Sequence, residues 1–418
     1  MDFILKGIIF LLVSFIIFQL IRVVELSSKL SGQKDEITDQ SNNINGWLSL
    51  LFGIGYMVFF YLQVKWWNKL TLQAPASEHG VPIDKLWDTT MGLILIVCLL
   101  LQPILFFFIW KFRGNKKRKA AFITHNNKVE IFWTAIPTIV LSGLIFFGLK
   151  VWGDVTAKPS DNALVIELYA RQFDWTARYA GYDEKLGAAH VSAIHEDIEN
   201  PSANNPLGVI TNSTMNTQID AITKTIIKDT EALEKEHNIV NKKLIESRLK
   251  ENIERKKRYE TNLFSLDSLT LSYGEDDILI PSGAGKLVLP VNKEVVLKFR
   301  SQDVIHSAYL PHFRVQMNCV PGLSTQFAFT PTKTTKEYQE YLQDPTFTYI
   351  LLCNKICGNS HYNMYMEVEV VTQEKFEEWE KEQTVKIIAN KFNITEEEAE
   401  SLLNENVRKV IEKLSNNE

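Results

Sequence analysis

The chain has 418 residues, enough for two or three domains, and its 45 Lys and Arg against 50 Asp and Glu leave a formal net charge of −5 at pH 7. That balance excludes the basic field of a nucleic-acid binder, and four cysteines, Cys98, Cys319, Cys353 and Cys357, are too few for a disulfide scaffold. The average conceals a change of character: long apolar runs fill the chain to about residue 152, and a soluble composition follows.

A helix crosses a bilayer core in roughly 20 apolar residues. Four segments qualify, about 3–23, 46–67, 87–110 and 131–152. Cys98 lies in the third as a small buried hydrophobe, and Pro103 predicts a kink there. The link from the third to the fourth, KFRGNKKRKAAFITHNNK, carries Lys111, Arg113, Lys116, Lys117, Arg118, Lys119 and Lys128 with no acidic residue among them. The positive-inside rule puts this loop in the cytoplasm and everything after the fourth span outside. A nucleic-acid-binding tract is the competing reading, and its place between two spans opposes it. The first span has the apolar core of a secretory signal, but MDFILKG lacks a strongly basic start and LSSKLSG is a poor cleavage site. Cleavage would leave three spans and turn the basic loop outward, so four retained spans with both termini outside are expected.

Beyond Trp152 the pattern is that of strands. ALVIELYARQFDW, KLVLPVNKEVVLKFRS, DVIHSAYLP, TQFAFTPTK, FTYILLC and YMEVEVV are β-branched or alternating, with turn residues between them. No helix of crossover length separates the later ones, which disfavours a parallel sheet and favours a small Greek-key β-sandwich. A charged segment from about 215 to 262 interrupts them, with Ile219, Ile226, Leu233 and Val240 one heptad apart. It reads as a long helix or helical hairpin with one apolar seam, packed on the sandwich or on a partner subunit. From about 372 the chain is helical again, and Thr395 with Glu398 forms a capping box ahead of Leu402, Leu403 and Val407. The expected organisation is thus extra membrane helices in 1–70, a membrane hairpin in 87–152, an extracytoplasmic β domain in 160–371 with a helical insertion over about 200–280, and a helical extension in 372–418.

One stretch gathers soft ligands: CNKICGNSHYNM places Cys353, Cys357, His361 and Met364 within twelve residues. Thiolate, imidazole and thioether together select copper over hard cations. One Cys with His and Met would suit a mononuclear site, whereas a second thiolate allows two ions to share bridging sulfur. Sharing one electron over two metals reduces the rearrangement needed at each transfer. A strained Cys–Cys disulfide, a structural zinc site, which would want another His or Cys in place of Met, and a free buried pair are the competing readings. A second ion needs a further nitrogen, for which His306 and His312 both qualify by position.

DVIHSAYLP, VPG and CNKICGNSHYNM together resemble the signature of subunit II of the haem-copper cytochrome c oxidases, which carries a binuclear copper (CuA) centre. EIFWTAIP (Glu130 to Pro137) resembles the start of that family's second membrane helix, and ARQFDWTARY its aromatic stretch before the sandwich. The similarity covers about 87–185 and 285–371. It implies a chain anchored in the lipid of a bacterial inner membrane by its helices, with a cupredoxin-like domain on the periplasmic side, taking electrons from cytochrome c or a cytochrome c domain and passing them to haem in oxidase subunit I, among the other oxidase subunits. It implies two copper ions held by His306, Cys353, the backbone carbonyl of Lys355, Cys357, His361 and Met364. Where this chain has Lys355, the family usually has a Glu that helps bind magnesium or manganese at the border with subunit I. An ammonium cannot ligate a cation, so the resemblance does not carry that site over. The resemblance also implies an electron-receiving role for Trp175, as an exposed ring near the docking surface, and a proton-uptake role for Glu130, for which a helix-dipole role is the plain alternative. Phe173 stands where the family has another tryptophan. The chain has no haem-attachment motif or haem ligand set of its own. A membrane-tethered copper-delivery chaperone is the alternative function, but it calls for βαβ units and a His far downstream of the cysteines. A quinol-oxidase subunit II would lack the ligands.

Overall fold

In a computed structural model, the backbone is described for residues 2–30, 38–67, 72–181, 184–196 and 204–403. The chain divides into two compact units, one of residues 1–72 and 89–141, the other of residues 73–88 and 142–418.

The first unit is built from helices α1 (Asp2–Leu30), α2 (Asp39–Trp67) and most of α3 (Gly80–Lys111) and α4 (Asn127–Val155). Three of these, α2, α3 and α4, are long and apolar enough among the described residues to cross a membrane. The first expected span is a helix too, but the side chains of its residues 3–11 lie outside the described residues. Helices α2 and α3 run antiparallel. Gly53 of α2 lies against the Phe106 ring of α3 with no room for a Cβ, and seven residues earlier Gly46 meets Arg113 in the same way. Trp47 packs edge-on to Trp110, with ring centroids 5.2 Å apart. At this end Arg113 Nε donates to Asn43 Oδ1 (2.9 Å) and the Lys116 N–H to Asp39 Oδ1 (3.0 Å), so the basic loop is tied to the start of α2. The α3 helix continues through Pro103.

The second unit is a two-layer sandwich. Strands β1 (Leu164–Arg171), β2 (Asp174–Tyr179), β3 (Ile278–Pro281), β5 (Val295–Ser301) and β8 (Thr325–Phe329) form one sheet in the order β3-β2-β1-β5-β8. Strands β4 (Leu287–Pro290), β6 (His306–Leu310), β7 (Val315–Cys319), β9 (Tyr349–Cys353) and β10 (Tyr365–Val371) form the other, ordered β4-β10-β9-β6-β7. One apolar core is shared by both layers. Ile166, Leu168 and Phe299 come from the first sheet, and Leu289, Leu351 and Val368 from the second. Tyr179 links the layers through a hydroxyl that donates to Val288 O (3.0 Å) and accepts from Val288 N–H (2.8 Å).

The strand expectations hold for the architecture, with corrections of detail. The first expected strand is a hairpin, β1 and β2, folded at Gln172–Phe173. KLVLPVNKEVVLKFRS divides at Asn292, which takes a left-handed backbone (φ +58°), and its halves enter different sheets. Most pairings are antiparallel, but β1 with β5 and β4 with β10 are parallel, because chain that crosses to the other sheet can return in the same direction. Strands β3 and β7 were not legible: ILIP is short, and VQMNC mixes polar with apolar residues at a sheet edge.

The insertion is a hairpin of α5 (Asn212–Lys235) and α6 (Ile239–Phe264), followed by the short α7 (Ser268–Ser272). The heptad seam does not run through it as expected. The chain turns before Val240, which is exposed, and the buried positions of α5 are Met215, Gln218, Ala221, Ile222 and Asp229. The insertion covers the outer face of the first sheet, where Tyr169 packs with Leu207 and Val209. Alternation in β1 therefore carries two buried faces: Ile166 and Leu168 point into the sandwich, while Glu167 and Tyr169 point under the insertion. Glu167 is almost fully buried between Arg178 (2.6 Å) and Arg300, and Arg178 also binds Asp277 (2.8 Å) and the Gly187 carbonyl (3.0 Å).

The loop 73–79 ahead of α3 was not foreseen as part of this unit. Ala76 and Ser77 are fully buried, Ser77 Oγ donates to Phe313 O (2.6 Å), and Asp84 in the first turns of α3 pairs with Arg314. His312, weighed above as a ligand, belongs to this junction: its Nε2 meets Gln73 Oε1, and its ring lies among Tyr338, Phe347 and Tyr349. After β8, α8 (Thr335–Leu342) precedes β9, and α9 (Gln373–Phe392) follows β10. The α9 helix seats Phe376 and Trp379 against the sandwich, with Trp379 4.8 Å from the Tyr179 ring. Thr395 and Glu398 form the expected capping box, and Leu403 is buried; Val407 lies outside the described residues.

The carboxylate beneath the insertion gives a direct test of this arrangement. Burial opposes its charge, but Arg178 and Arg300 more than compensate and hold the Glu167 carboxyl below its ordinary 4.5. Glu167→Gln leaves buried guanidinium charge uncompensated and should cost about 3 kcal/mol in the unfolding of the detergent-solubilised chain. A depressed carboxylate contributes in full above its unfolded value and loses that contribution as the pH falls through its folded one. The difference between variant and parent should therefore be complete at neutral pH and shrink in acid.

Candidate metal centre

Strand pairing decides which residues meet. Strand β6 pairs antiparallel with β9, setting Ala308 opposite Cys353. Residues two apart on a strand share a face, so His306 lies on the same side as Ala308, one step further along β6. The Asn354 N–H donates to Ser307 O (2.9 Å), and the Cys353 N–H to Met364 O (3.1 Å), which anchors both ends of the loop after β9. Within that loop Gly358 has φ +144° and lies under the Phe173 ring, where a Cβ would stand 2.7 Å from it. A single helical turn, His361–Asn363, then brings His361 and Met364 back toward the cysteines.

All the donors expected from the sequence come together. His306 Nδ1 lies 3.8 Å from Cys353 Sγ, and Cys353 Sγ lies 3.7 Å from Cys357 Sγ. Beyond Cys357 Sγ stand His361 Nδ1 at 3.5 Å and Met364 Sδ at 3.8 Å. The Lys355 carbonyl oxygen is 3.3 Å from Cys353 Sγ, while its side chain is exposed. His306, Cys353 and Cys357 form the metal-competent group found among the described residues, all three buried. The sulfur–sulfur distance is less than twice a metal–thiolate bond of about 2.3 Å, so an ion can touch both. An imidazole at each end and a thioether beside Cys357 complete a soft donor set, and these residues fit copper.

The two thiols are not equivalent. Burial pushes both up. Hydrogen bonding from His306 and from the backbone at Ser307 and Lys355 nevertheless brings Cys353 down to about 6, and Cys357, facing that sulfur, is pushed up to about 12. Ionising one sulfur thus opposes ionising the other, so the two titrate as a pair. His306 is raised: burial works against its charge, and the Cys353 sulfur and Asp303 carboxylate outweigh it. Cys319, across from His306 in β7, is held as a neutral thiol by burial.

One sequence expectation changes, the exposure of Trp175. Trp175 is fully buried, edge-on to the His306 ring at 6.3 Å, and cannot offer an exposed ring to a partner. The aromatic that packs on the ligand loop at Gly358 and remains partly exposed is Phe173, in the turn of the hairpin. Glu130 stands in the first turn of α4, where its Oε1 accepts the Asn126 N–H at 3.1 Å, a plain capping contact. Sequence reasoning missed Gln172 and Asp303 as neighbours of the donors: Gln172 bonds to the Cys357 carbonyl, and Asp303 Oδ1 lies 2.9 Å from His306 Nε2. Only the place of Asp303 beside His306 in DVIHS hinted at this.

The chain is similar in sequence to known proteins over both of its halves. The family model for the transmembrane domain of cytochrome c oxidase subunit II matches residues 65–151, and that for its periplasmic domain residues 259–371. An alternative cytochrome c oxidase subunit 2 from Bradyrhizobium diazoefficiens is 24% identical over 335 residues, covering 80% of this chain and 90% of that protein. Subunit 2 from Cereibacter sphaeroides is 22% identical over 307 residues, 73% of this chain and 78% of its own. The crystal structure of the periplasmic domain of subunit II of cytochrome oxidase from Bradyrhizobium japonicum aligns over 55% of this chain and 98% of that one, with 17% identity and a TM-score of 0.26. With membrane-competent helices ahead of a β-sandwich, and a match to a model of that family in each half, the chain is similar to subunit II of the cytochrome c oxidases and is a subunit II-like protein.

Proposed function

We propose that this chain is the electron-input subunit of a proton-pumping terminal oxidase, with a binuclear copper centre at His306, Cys353, the Lys355 carbonyl, Cys357, His361 and Met364. The observation that carries the reading is the pair of buried sulfurs 3.7 Å apart, with an imidazole at each end. Bound there, two copper ions would accept and pass on one electron at a time. The protein's part is to hold six donors in place and keep water from the sulfurs; Cys353, Cys357 and Met364 are all buried. The donor is a cytochrome c or a cytochrome c domain, and the acceptor is haem in subunit I. Contact with the donor is made by the surface over the ligand loop, where Phe173 is partly exposed and Ile356 and Tyr362 stand 87% and 86% exposed. Trp175 serves behind that surface, packed on His306. Glu130 is proposed for proton uptake on the basic-loop side. The β domain faces the periplasm of a bacterial inner membrane, following the charge of the loop Lys111–Lys128. The lysine at 355 leaves no carboxylate there for magnesium or manganese.

A tethered copper-delivery chaperone is the weaker reading. Cys353 ends β9 of a sandwich and Cys357 follows it before β10, rather than both lying in a βαβ unit, and one imidazole comes from 47 residues upstream of Cys353.

The full chain, solubilised and loaded with copper, should show hyperfine structure from one unpaired spin shared by two copper nuclei. A mononuclear pattern, or zinc taken up equally well, would overturn the assignment. Cys353→Ser should abolish the shared-spin signal, because a hydroxyl does not replace a bridging thiolate. Lys355→Ala should preserve it, since only the backbone carbonyl faces the sulfurs; its loss would show that the side chain is needed.

A further inference from the structure

One short turn outside the donor set reaches both ends of the site. The β1–β2 turn at Gln172–Phe173 directs the Gln172 backbone N–H to Asp303 Oδ2 at 2.7 Å. The other oxygen of that carboxylate meets His306 Nε2 at 2.9 Å and also accepts the Val304 N–H at 2.7 Å. The Gln172 side chain turns the opposite way and donates through Nε2 to the Cys357 carbonyl. Phe173 closes down on Gly358, where a Cβ would stand 2.7 Å from the ring and 2.9 Å from Gln172 Nε2. Two chains of contact therefore start at one residue: one ends on the imidazole beside Cys353, the other on the backbone of Cys357.

We propose that Asp303 and Gln172 are positioning residues of the metal centre, an inference that rests on reading the donors as a copper site. An imidazole whose Nε2–H is spent on a carboxylate has its lone pair on Nδ1, the nitrogen turned toward Cys353. Asp303, itself held by two backbone amides, fixes that tautomer and the plane of the ring. Gln172 fixes the loop at Cys357, the other bridging position. The two sulfurs are thus held at their separation from outside the donor set, by a turn on the opposite sheet. A turn of purely structural worth would lower stability when altered but would leave the His306 tautomer and the balance between the two ends unchanged.

The test uses the solubilised full chain, metal-free and copper-loaded. In the metal-free parent, nitrogen-15 spectra of labelled histidine should show a hydrogen-bonded, slowly exchanging Nε2 proton on His306. Asp303→Ala should remove that signal, Asp303→Asn should retain it in weakened form, and Gln172→Glu should leave it unchanged. Copper affinity should fall by roughly 10- to 100-fold in Asp303→Ala and Gln172→Glu, with Asp303→Asn recovering part of the loss. Nitrogen hyperfine coupling should change at one imidazole in the Asp303 variants. In Gln172→Glu the change should appear in the sharing of spin between the two coppers. Should Asp303→Ala fail to fold, Asp303→Asn carries the same comparison. Affinities within about twofold of the parent, or a His306 proton indifferent to Asp303, would overturn the proposal. A parent chain that binds no copper yet shows the His306 proton, lost in Asp303→Ala, would sink the copper reading and leave the positioning geometry intact.

Discussion

The centre depends on one strand register. Ala308 opposite Cys353 fixes His306 beside the first thiol, although the two residues lie 47 positions apart in the chain. A slip of one residue between β6 and β9 would turn His306 to the other face of the sheet and replace it with Ser307 or Ile305, neither of which offers nitrogen. The register is held from both sides. Strand β6 also pairs with β7 over five positions, from His306 with Cys319 to Leu310 with Val315, and Ala308 and Leu310 are fully buried in the common core. The hydrophobic packing that makes the sandwich is therefore the same constraint that brings imidazole to thiolate.

The insertion adds a cost and a remedy. It covers the outer face of a sheet that would otherwise meet water, and so buries Glu167, Arg178 and Asp277. Buried charge is expensive unless paired and hydrogen-bonded. Here Glu167 lies between two guanidiniums, and Arg178 also reaches Asp277 and a backbone carbonyl on the insertion's own flank. Arg300 lies over the Tyr169 ring at 5.0 Å and donates to Leu207 O, so both arginines bind the insertion to the sheet as well as the carboxylate beneath it. Apolar contact alone would hold the hairpin less specifically, since Tyr169, Leu207 and Val209 form only a small cluster.

What could be read from the sequence follows from which signals are local. The cysteine-rich loop was legible because four of its ligands lie within twelve residues of sequence, and the apolar spans because length and composition suffice. The strands were legible where alternation is strong, as in YMEVEVV, and not where a strand is four residues long or lies at an edge. The heptad in α5 misled because Val240 continues the spacing across a chain reversal at Glu236–Asn238, and spacing carries no record of a turn. The fates of the two aromatics in QFDW were hidden for a different reason. They stand two apart, astride Asp174, and tertiary packing alone decides that Trp175 is sealed behind His306 while Phe173 reaches the surface. Likewise, nothing near Gln172 in sequence announces that it binds residue 357.

The ligand loop divides its work between backbone and side chain. Lys355 and Ile356 lie between the two cysteines, and both side chains point to solvent, while the Lys355 carbonyl and the two thiols point inward. The inward groups would be nearly the same for many residues at 355 and 356, so those side chains are free to shape the outer surface without disturbing the donors. Scattered exposed apolar residues mean little on their own, but Ile356, Tyr362 and Phe173 are concentrated around one buried cluster of sulfur. An electron crossing between proteins needs a short distance and an interface that releases quickly, and small redox interfaces meet both needs. A few apolar side chains over the donors, carried on a loop whose inner face is fixed by Gly358, Gln172 and Asp303, would let a partner come close without any part of the binding energy acting on the ligands.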